Sequence, residues 1–564
     1  MSTRKNVKYT DADFEATALK WYEEIESDGE GSEYEDNVEP ISEYENEISE
    51  SDISDSEIID SSGSSKKNVI LGKNGYKWST LEPPRTKTQH RNIVVKIPGL
   101  QGPAKNVTNE FEAWKILFTA DMIESIVVYT NQEIERQKLC YNMDTRYVQF
   151  TDVSEILALI GILYIAGVRK DAHFVVREMF SNEGPKIYKC IMSEPRFTFL
   201  LSCLRFDDKN IRNRQDKFAP IRQLWEPFIK NCTECYTPHA YCTIDEQLLG
   251  FRGNCPFRVY IASKPDKYGL KINTMCDSRT YYMVSALPYI GKEDRISKEP
   301  VSTQIVKKLA EPIYGTNRNI TMDNYFTSIP LAHDMLKNHK LTIVGTLRNN
   351  KREIPPSFLP NRKKEILSSQ FAFAEKTTLV SFTPKRSKSV ILLSTVHSTA
   401  TIDEQSKKPE IILFYNSTKG AVDTFDQMAH NYTVARKTKR WPLRFLFGMV
   451  DQAGINAYII FNLSTKPDKP NRKQFLNKLG VQLARNYMEY RLKGKLPNEL
   501  RKDIEKVLDI NTPEEDELPA KRLKSGRCHL CPRIKDRKSK ICCVKCNKPV
   551  CTDHRLDICF SCKK

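Results

Sequence analysis

The sequence of 564 residues has no long hydrophobic run. Its longest apolar stretch, Ile156 to Val168, covers 13 residues. A membrane-spanning helix needs roughly 20, so the stretch reads as a buried core helix. The opening residues, MSTRKNVKYTDADFE, hold no apolar segment. Secretion through a signal peptide is therefore not expected, and the chain is expected in a reducing compartment. No internal repeat is visible, which sets aside repeat architectures. Apolar material is not scarce, at 40% hydrophobic and 10% aromatic residues. Wholesale disorder is excluded, and the length suggests roughly three to four domains.

The charge is positive overall and unevenly spread. Lys and Arg number 88 against 71 Asp and Glu, for a net +17. Residues 1–60 hold 20 acidic and four basic side chains, a local charge of −16, which leaves +33 on the remaining 504 residues. A surface that basic favours nucleic acid or an anionic membrane surface. The acidic, Ser-rich segment from Thr10 to about Ser65 cannot bury enough apolar surface to order itself. Ser42, Ser49 and Ser54 each precede an acidic residue at the third position. The tail thus reads as a phosphorylation substrate, as a nucleic-acid mimic that masks the basic surface, or as a simple solubilising tail.

Periodicity divides the rest. Residues 66–104 are basic and Pro-containing without sustained periodicity, and read as a linker. Asn109 followed by Glu112 marks a helix start. Helices are expected over Glu155–Gly167 and Arg196–Leu204, within a helical block reaching about Tyr236. Residues 268–291 read as a β-hairpin turning at Asp277–Arg279, residues 318–336 as a strand entering a helix, and residues 340–350 as another strand. Between 349 and 412, TTLVSF, SVILLSTV and EIILFY read as short strands, and helical periodicity returns from Gly420 to Asn477. The order suggests an α/β or α+β core.

Three Asp residues fall where strands or a helix would present them: Asp277, Asp323 and Asp423, with Asp426 at helical spacing from the last. Carboxylates gathered from separate segments can hold two hard divalent cations for phosphodiester chemistry. Taken singly, a residue of this kind is more often a cap or turn residue.

Six segments together carry a resemblance: TIDEQLLGFRGNCPFRVYIASKPDKYGLK (243–271), MCDS (275–278), NITMDNYFTSIPLA (319–332), LTIVGTLRNNKREIP (341–355), YNSTKGAVDTFDQM (415–428) and RKTKRWP (436–442). On these the sequence closely resembles the piggyBac family of DNA transposases. The resemblance implies an α+β multidomain protein whose RNase H-like catalytic core carries an insertion. Mostly helical dimerisation and DNA-binding segments would flank the core, with a Cys-rich zinc-binding domain at the C-terminal end. Its implied boundaries are an acidic region and linker at 1–104, a helical domain at 105–240, the catalytic domain at 241–432 with its insertion at about 349–412, a second helical segment at 433–518, a linker at 519–527 and the zinc domain at 528–564.

The resemblance further implies that Asp277, Asp323 and Asp423 are catalytic carboxylates holding Mg²⁺ or Mn²⁺, with Asp426 an additional functional Asp. In such a core the first Asp lies on the first strand, the second just after the fourth, and the third on a helix after an insertion. The implied reaction is metal-dependent nicking at a transposon end, hairpin formation by the freed 3′-OH, and transesterification into TTAA targets with scarless excision. Arg348 and Lys351 match DNA-contacting positions and Trp441 a functional aromatic near the active site. Lys264, Lys267, Arg436, Lys437, Lys439 and Arg440 are assigned to DNA from charge and location. Departures are small: Tyr325 stands where relatives often have Trp, and IASKP where others have IPNKP.

Of 16 Cys, eight crowd into Cys528 to Cys562. In a reducing compartment such a cluster is a metal site rather than a disulfide framework. The pairs Cys528/Cys531, Cys543/Cys546, Cys551/His554 and Cys559/Cys562 supply eight ligands, enough for two tetrahedral Zn²⁺ sites. A cross-brace, as in RING and PHD modules, would give one site to Cys528, Cys531, Cys551 and His554, and the other to Cys543, Cys546, Cys559 and Cys562. His529 and Cys542 are left over. Such a module can bind transposon DNA, a histone tail or a ubiquitin-conjugating enzyme. Just upstream, Lys521, Arg522 and Lys524 read as a nuclear localisation signal for an import receptor. The expected partners are double-stranded DNA and a second copy of the chain, in the nucleus. The alternatives are a domesticated DNA- or chromatin-binding descendant without catalysis, and a ligase that would leave most of the chain unexplained.

Overall fold

The computed structural model describes residues 68–84, 90–141, 147–291, 299–464, 469–510, 526–543, 546 and 548–555. The acidic tail and the localisation signal at Lys521, Arg522 and Lys524 lie outside the described residues. The chain divides into two compact units, Met1–Gly494 and Lys495–Lys564. Among the described residues, no helix is long and apolar enough to cross a membrane.

The larger unit is built on an eleven-stranded mixed sheet. Two short strands come first, β1 (Val69–Leu71) and β2 (Lys77–Ser79). Next, β3 (Gly99–Leu100) pairs outside the sheet with β4 (Tyr236–Thr237). There follow β5 (Tyr241–Gly250), β6 (Val259–Tyr260), β7 (Tyr268–Asp277) and β8 (Met283–Pro288). Then come β9 (Asn319–Met322), β10 (Thr342–Thr346), β11 (Ser369–Ala374), β12 (Thr377–Lys385) and β13 (Lys388–Ser394). The spatial order is β1-β2-β11-β12-β13-β10-β9-β5-β7-β6, with β8 also on β7. β7 runs antiparallel to β5 and β8, whereas β5, β9 and β10 run parallel.

Helices α1 (Glu110–Lys115), α2 (Ala120–Lys138), α3 (Val153–Arg169), α4 (Val176–Met179), α5 (Lys186–Ile191), α6 (Glu194–Cys203) and α7 (Ala219–Cys235) precede β4. The Asn109 side chain caps α1 by accepting the Glu112 N–H at 2.9 Å, as the spacing predicts. α8 (Val301–Ala310) and α9 (Ile329–Asn338) lie between the parallel strands, which cannot be joined by tight turns. α10 (Glu410–Thr418), α11 (Ala421–Asn431), α12 (Trp441–Ser464) and α13 (Arg472–Leu492) follow the sheet. The apolar stretch Ile156–Val168 is indeed buried, as α3. It packs on α13, where Gly161 and Gly480 meet: a Cβ on Gly161 would stand 2.5 Å from the Gly480 carbonyl oxygen. Two helices approach this closely only where side chains are absent.

Two expectations fail for identifiable reasons. The supposed linker at 66–104 contributes β1 and β2, because Trp78 is fully buried and its indole N–H donates to the Glu353 carbonyl at 2.8 Å. One large aromatic supplies the apolar area that the surrounding polar sequence lacks. EIILFY, read as a strand, is the body of α10. Pro409 starts it, and Ile411, Ile412, Phe414 and Tyr415 all pack into one cluster with Val344 and Leu392. A six-residue apolar run has no period of its own to separate helix from strand.

The smaller unit holds α14 (Asn498–Leu508) and a short ribbon of β14 (Gly526–Arg527) with β15 (Lys538–Ser539).

Candidate functional site

The centre of the site is set by register. Thr243 on β5 pairs with Thr321 on the parallel β9. Both reach the end of α10: Thr243 Oγ1 donates to the Thr418 carbonyl, and Thr321 Oγ1 lies 2.8 Å from Thr418 Oγ1. Side chains two positions apart on a strand share a face. The next residues on that face are therefore Asp245 on β5 and Asp323 just past β9. Five residues beyond Thr418, in the first turn of α11, stands Asp423. One hydroxyl feels all three carboxylates: Tyr415 is pushed up to about 12 by burial, and Asp323, Asp245 and Asp423 add to the shift.

The electrostatics are those of crowded anions. Burial, then Glu246 and Asp323, raise Asp245 well above the usual carboxylate range. Burial, then Glu246, push Asp323 up to about 6, against backbone N–H groups of Tyr325 and Phe326 that favour its charged form. Asp426 is 7% exposed, and burial raises it as well. Its Oδ1 accepts no hydrogen bond among the described residues. Lys264 reaches into this group, with Nζ 3.3 Å from Asp423 Oδ1.

Asp277 is not among these acids, which corrects the expectation that it is the first catalytic carboxylate. It ends β7, the strand beside β5, where it pairs with Cys242. Cys242 is three residues from Asp245, so Asp277 shares the opposite face of the sheet. Its side chain is fully buried and its oxygens are already engaged. Oδ2 accepts the Tyr236 hydroxyl at 2.6 Å and the His239 backbone N–H at 2.9 Å, and lies 2.8 Å from His239 Nδ1. Oδ1 accepts the Arg279 N–H at 2.8 Å. Burial alone would raise this carboxyl, but those hydrogen bonds outweigh it and hold it below its ordinary value. The buried Arg318 supplies countercharge while donating to the carbonyls of Pro238, His239 and Lys96. Asp245 had a signal of its own, a carboxylate in mid-strand in TIDEQLLG, where Asp is disfavoured without a specific use.

The cationic residues differ in exposure and in surroundings. Lys437 and Lys439 are exposed. Arg348 donates to Asn324 Oδ1 at 3.3 Å and lies over the Tyr325 ring, beside Asp323. Lys351 closes the same loop through its backbone N–H to the Arg348 carbonyl. Lys267 takes a left-handed conformation (φ 54°) in the turn before β7. Two expected DNA contacts are structural instead. Arg436 is 7% exposed and donates to Met179 Sδ and the Phe174 carbonyl. Arg440 donates to the carbonyls of Leu201, Ser202 and Leu204, and burial pulls it down to about 9. A guanidinium spent on backbone carbonyls has few donors left for phosphate. Trp441 stacks on Phe218 with centroids 6.1 Å apart and meets Phe257 edge-on. With Arg205, Lys209, Arg212 and Lys439 it lines a cavity of about 310 Å³.

In the smaller unit, ligand atoms of Cys528, Cys531, Cys551 and His554 all lie within 4.8 Å of one another, a set consistent with zinc. Cys543 is buried beside Cys546 and Val550. Cys559 and Cys562 lie outside the described residues. His529 Nδ1 lies 3.1 Å from the Pro549 carbonyl oxygen.

The family model described as Transposase IS4 matches residues 110–458. Two human proteins are similar at 23% identity. PiggyBac transposable element-derived protein 3 aligns over 367 residues, 60% of each chain, and PiggyBac transposable element-derived protein 2 over 333 residues, 54% of each. The chain thus spans little more than half the length of these curated relatives. A solved structure, the cryo-EM structure of a piggyBac transposase synaptic complex with hairpin DNA, is 41% identical with a TM-score of 0.73, covering 83% of this chain and all of that one. With a mixed sheet, a matched transposase model over most of the chain and that degree of likeness to a solved relative, the chain belongs to the piggyBac family of DNA transposases.

Proposed function

We propose that this protein is an active DDD-type cut-and-paste transposase whose catalytic carboxylates are Asp245, Asp323 and Asp423. The observation that carries the reading is the shared register of Asp245 and Asp323 beside Asp423. The strand order β8-β7-β5-β9-β10, antiparallel then parallel, supports an RNase H-like core. The donor set is all oxygen and its charge is not balanced by Lys264 alone, which suits Mg²⁺ or Mn²⁺. Divalent cations bound there supply an activated water and neutralise the leaving oxygen of a phosphodiester.

The chain's own residues position and hold. Asp245 and Asp323 project from paired strands, so their separation is set by the sheet. Asp423 is brought to them by the contacts of Thr418 with Thr243 and Thr321. Asp426, one turn on, faces Lys264 and His430, and the Gln247 side chain on β5 favours its charged form. Lys267, Arg348, Lys351, Lys437 and Lys439 engage the DNA backbone, and Trp441 the strand near the break. The products are nicked ends, terminal hairpins and 3′-OH ends joined at TTAA, made by a nuclear dimer brought in by an import receptor.

The test uses a labelled duplex carrying the element's own terminus and flanking TTAA, incubated with the full chain and Mg²⁺. A 3′ nick that matures into a hairpin on a denaturing gel, and is lost in chelator, is the expected result. Tight end binding with no nick at any divalent concentration would make the protein a DNA-binding descendant instead.

The C-terminal unit is proposed to hold two structural Zn²⁺. Cys551→Ser is expected to lower zinc from about two to about one per chain, measured by mass spectrometry of the purified protein. An unchanged zinc content would remove Cys551 from the ligand set.

A further inference from the structure

The Lys264 side chain was assigned to DNA from charge and location, but it is only 16% exposed and turned toward the acids. Lys264 lies in the turn between β6 and β7, closed by backbone hydrogen bonds from Lys264 to Ile261 and from Lys267 to Lys264. A second contact ties this turn to α11: His430 Nε2 lies 3.4 Å from Asp266 Oδ2. The turn is therefore held at both ends, and its ammonium is delivered to the gap between β5 and α11. It stands 3.3 Å from Asp423 Oδ1. Asp245, Asp423 and Asp426 all favour its charged form, against a burial that opposes it.

We propose that the Lys264 ammonium is an internal counter-ion that holds Asp245 and Asp423 together before a divalent cation arrives and competes with that cation for them. The inference rests on the reading of these carboxylates as metal ligands. Without a cation, carboxylates converging from β5 and α11 repel, and the N-terminal turn of α11 carries the more exposed of them, with the Asp423 side chain 65% exposed. One ammonium relieves that repulsion and leaves the site assembled. A divalent ion carries twice the charge and takes several oxygens at once, so it displaces the ammonium from Asp423.

The competition has a direction that a DNA-contacting or merely packing lysine would not produce. In the full-length protein, Mn²⁺ binding is followed by loss of the free-ion signal in electron paramagnetic resonance, and unfolding is followed thermally with and without chelator. Lys264→Met is expected to bind Mn²⁺ about fivefold more tightly than wild type or better. It should also melt lower than wild type in chelator, with the gap closing at saturating Mn²⁺. Lys264→Gln, which is smaller and polar, should shift binding the same way if the methionine variant folds poorly. Lys230→Met, which removes a charge 71% exposed on α7, should follow wild type. Mn²⁺ affinity equal to or weaker than wild type in both Lys264 variants overturns the proposal, as does an equal gain in Lys230→Met. If wild type itself binds no Mn²⁺, the carboxylate reading beneath the proposal fails with it.

Discussion

Asp245→Asn is expected to abolish strand cleavage at a transposon end by about a thousandfold or more, a loss of roughly 4 kcal/mol of transition-state stabilisation. The variant should remain folded. Asp245 is held well above the usual carboxylate range by burial and by its acidic neighbours, so its charge is a burden on the metal-free protein. A neutral amide of the same shape removes that burden. In chelator its Tm should be no lower than wild type, while the upward shift that Mn²⁺ produces in wild type should vanish. Cleavage measured on a denaturing gel and melting curves from the same preparation make the test. Cleavage within tenfold of wild type would remove Asp245 from the catalytic set.

Asp277→Asn is expected to do the reverse. Its carboxylate receives the Tyr236 hydroxyl and the N–H groups of His239 and Arg279, all in a fully buried setting. An amide cannot accept all of them, and the NH₂ it introduces faces other donors. Arg318 would be left with less countercharge. Such a change costs about 2–4 kcal/mol. The expected result is a clear drop in Tm, with Mn²⁺ binding intact and cleavage recovered at a temperature where the variant is folded. A variant with wild-type Tm and no cleavage would return Asp277 to the chemistry. The linkage sign supports the same contrast. The Asp277 carboxyl is held below its ordinary value, so the stability it contributes is present above the unfolded pKa and lost as pH falls through the folded one. Asp323, raised to about 6, works oppositely in the metal-free protein: its contribution is present at low pH and lost as pH rises through about 6.

The two aspartates show where reading the chain directly succeeds and where it stops. Both follow or sit in β-branched and apolar stretches, and both lie in segments shared with relatives. Along the chain, the one signal that separates them is the mid-strand position of Asp245, and it does not say which face of the sheet either carboxylate takes. The distinction is a matter of strand parity across a ladder, since Asp277 pairs with Cys242 and so turns away from Asp245. Pairing register is a long-range property. The arginines of RKTKRWP divide for a similar reason. Arg436 and Arg440 meet carbonyls of the 174–204 region, more than 230 residues earlier in the chain.

The sequence by itself determined the features that depend on local pattern and composition. These are the buried α3 from its unbroken apolar run, the Asn109 cap, the β7–β8 hairpin, the spacing of Cys528, Cys531, Cys551 and His554, and the family through its joined motifs. Tertiary structure alone decided which acids converge, that Trp78 draws a polar segment into the sheet, and that an apolar hexamer is the helix carrying Tyr415 and Thr418. Each of those turns on which surfaces meet across long stretches of chain. Burial and charge pairing act between neighbours in space, whereas propensity and periodicity act between neighbours in sequence.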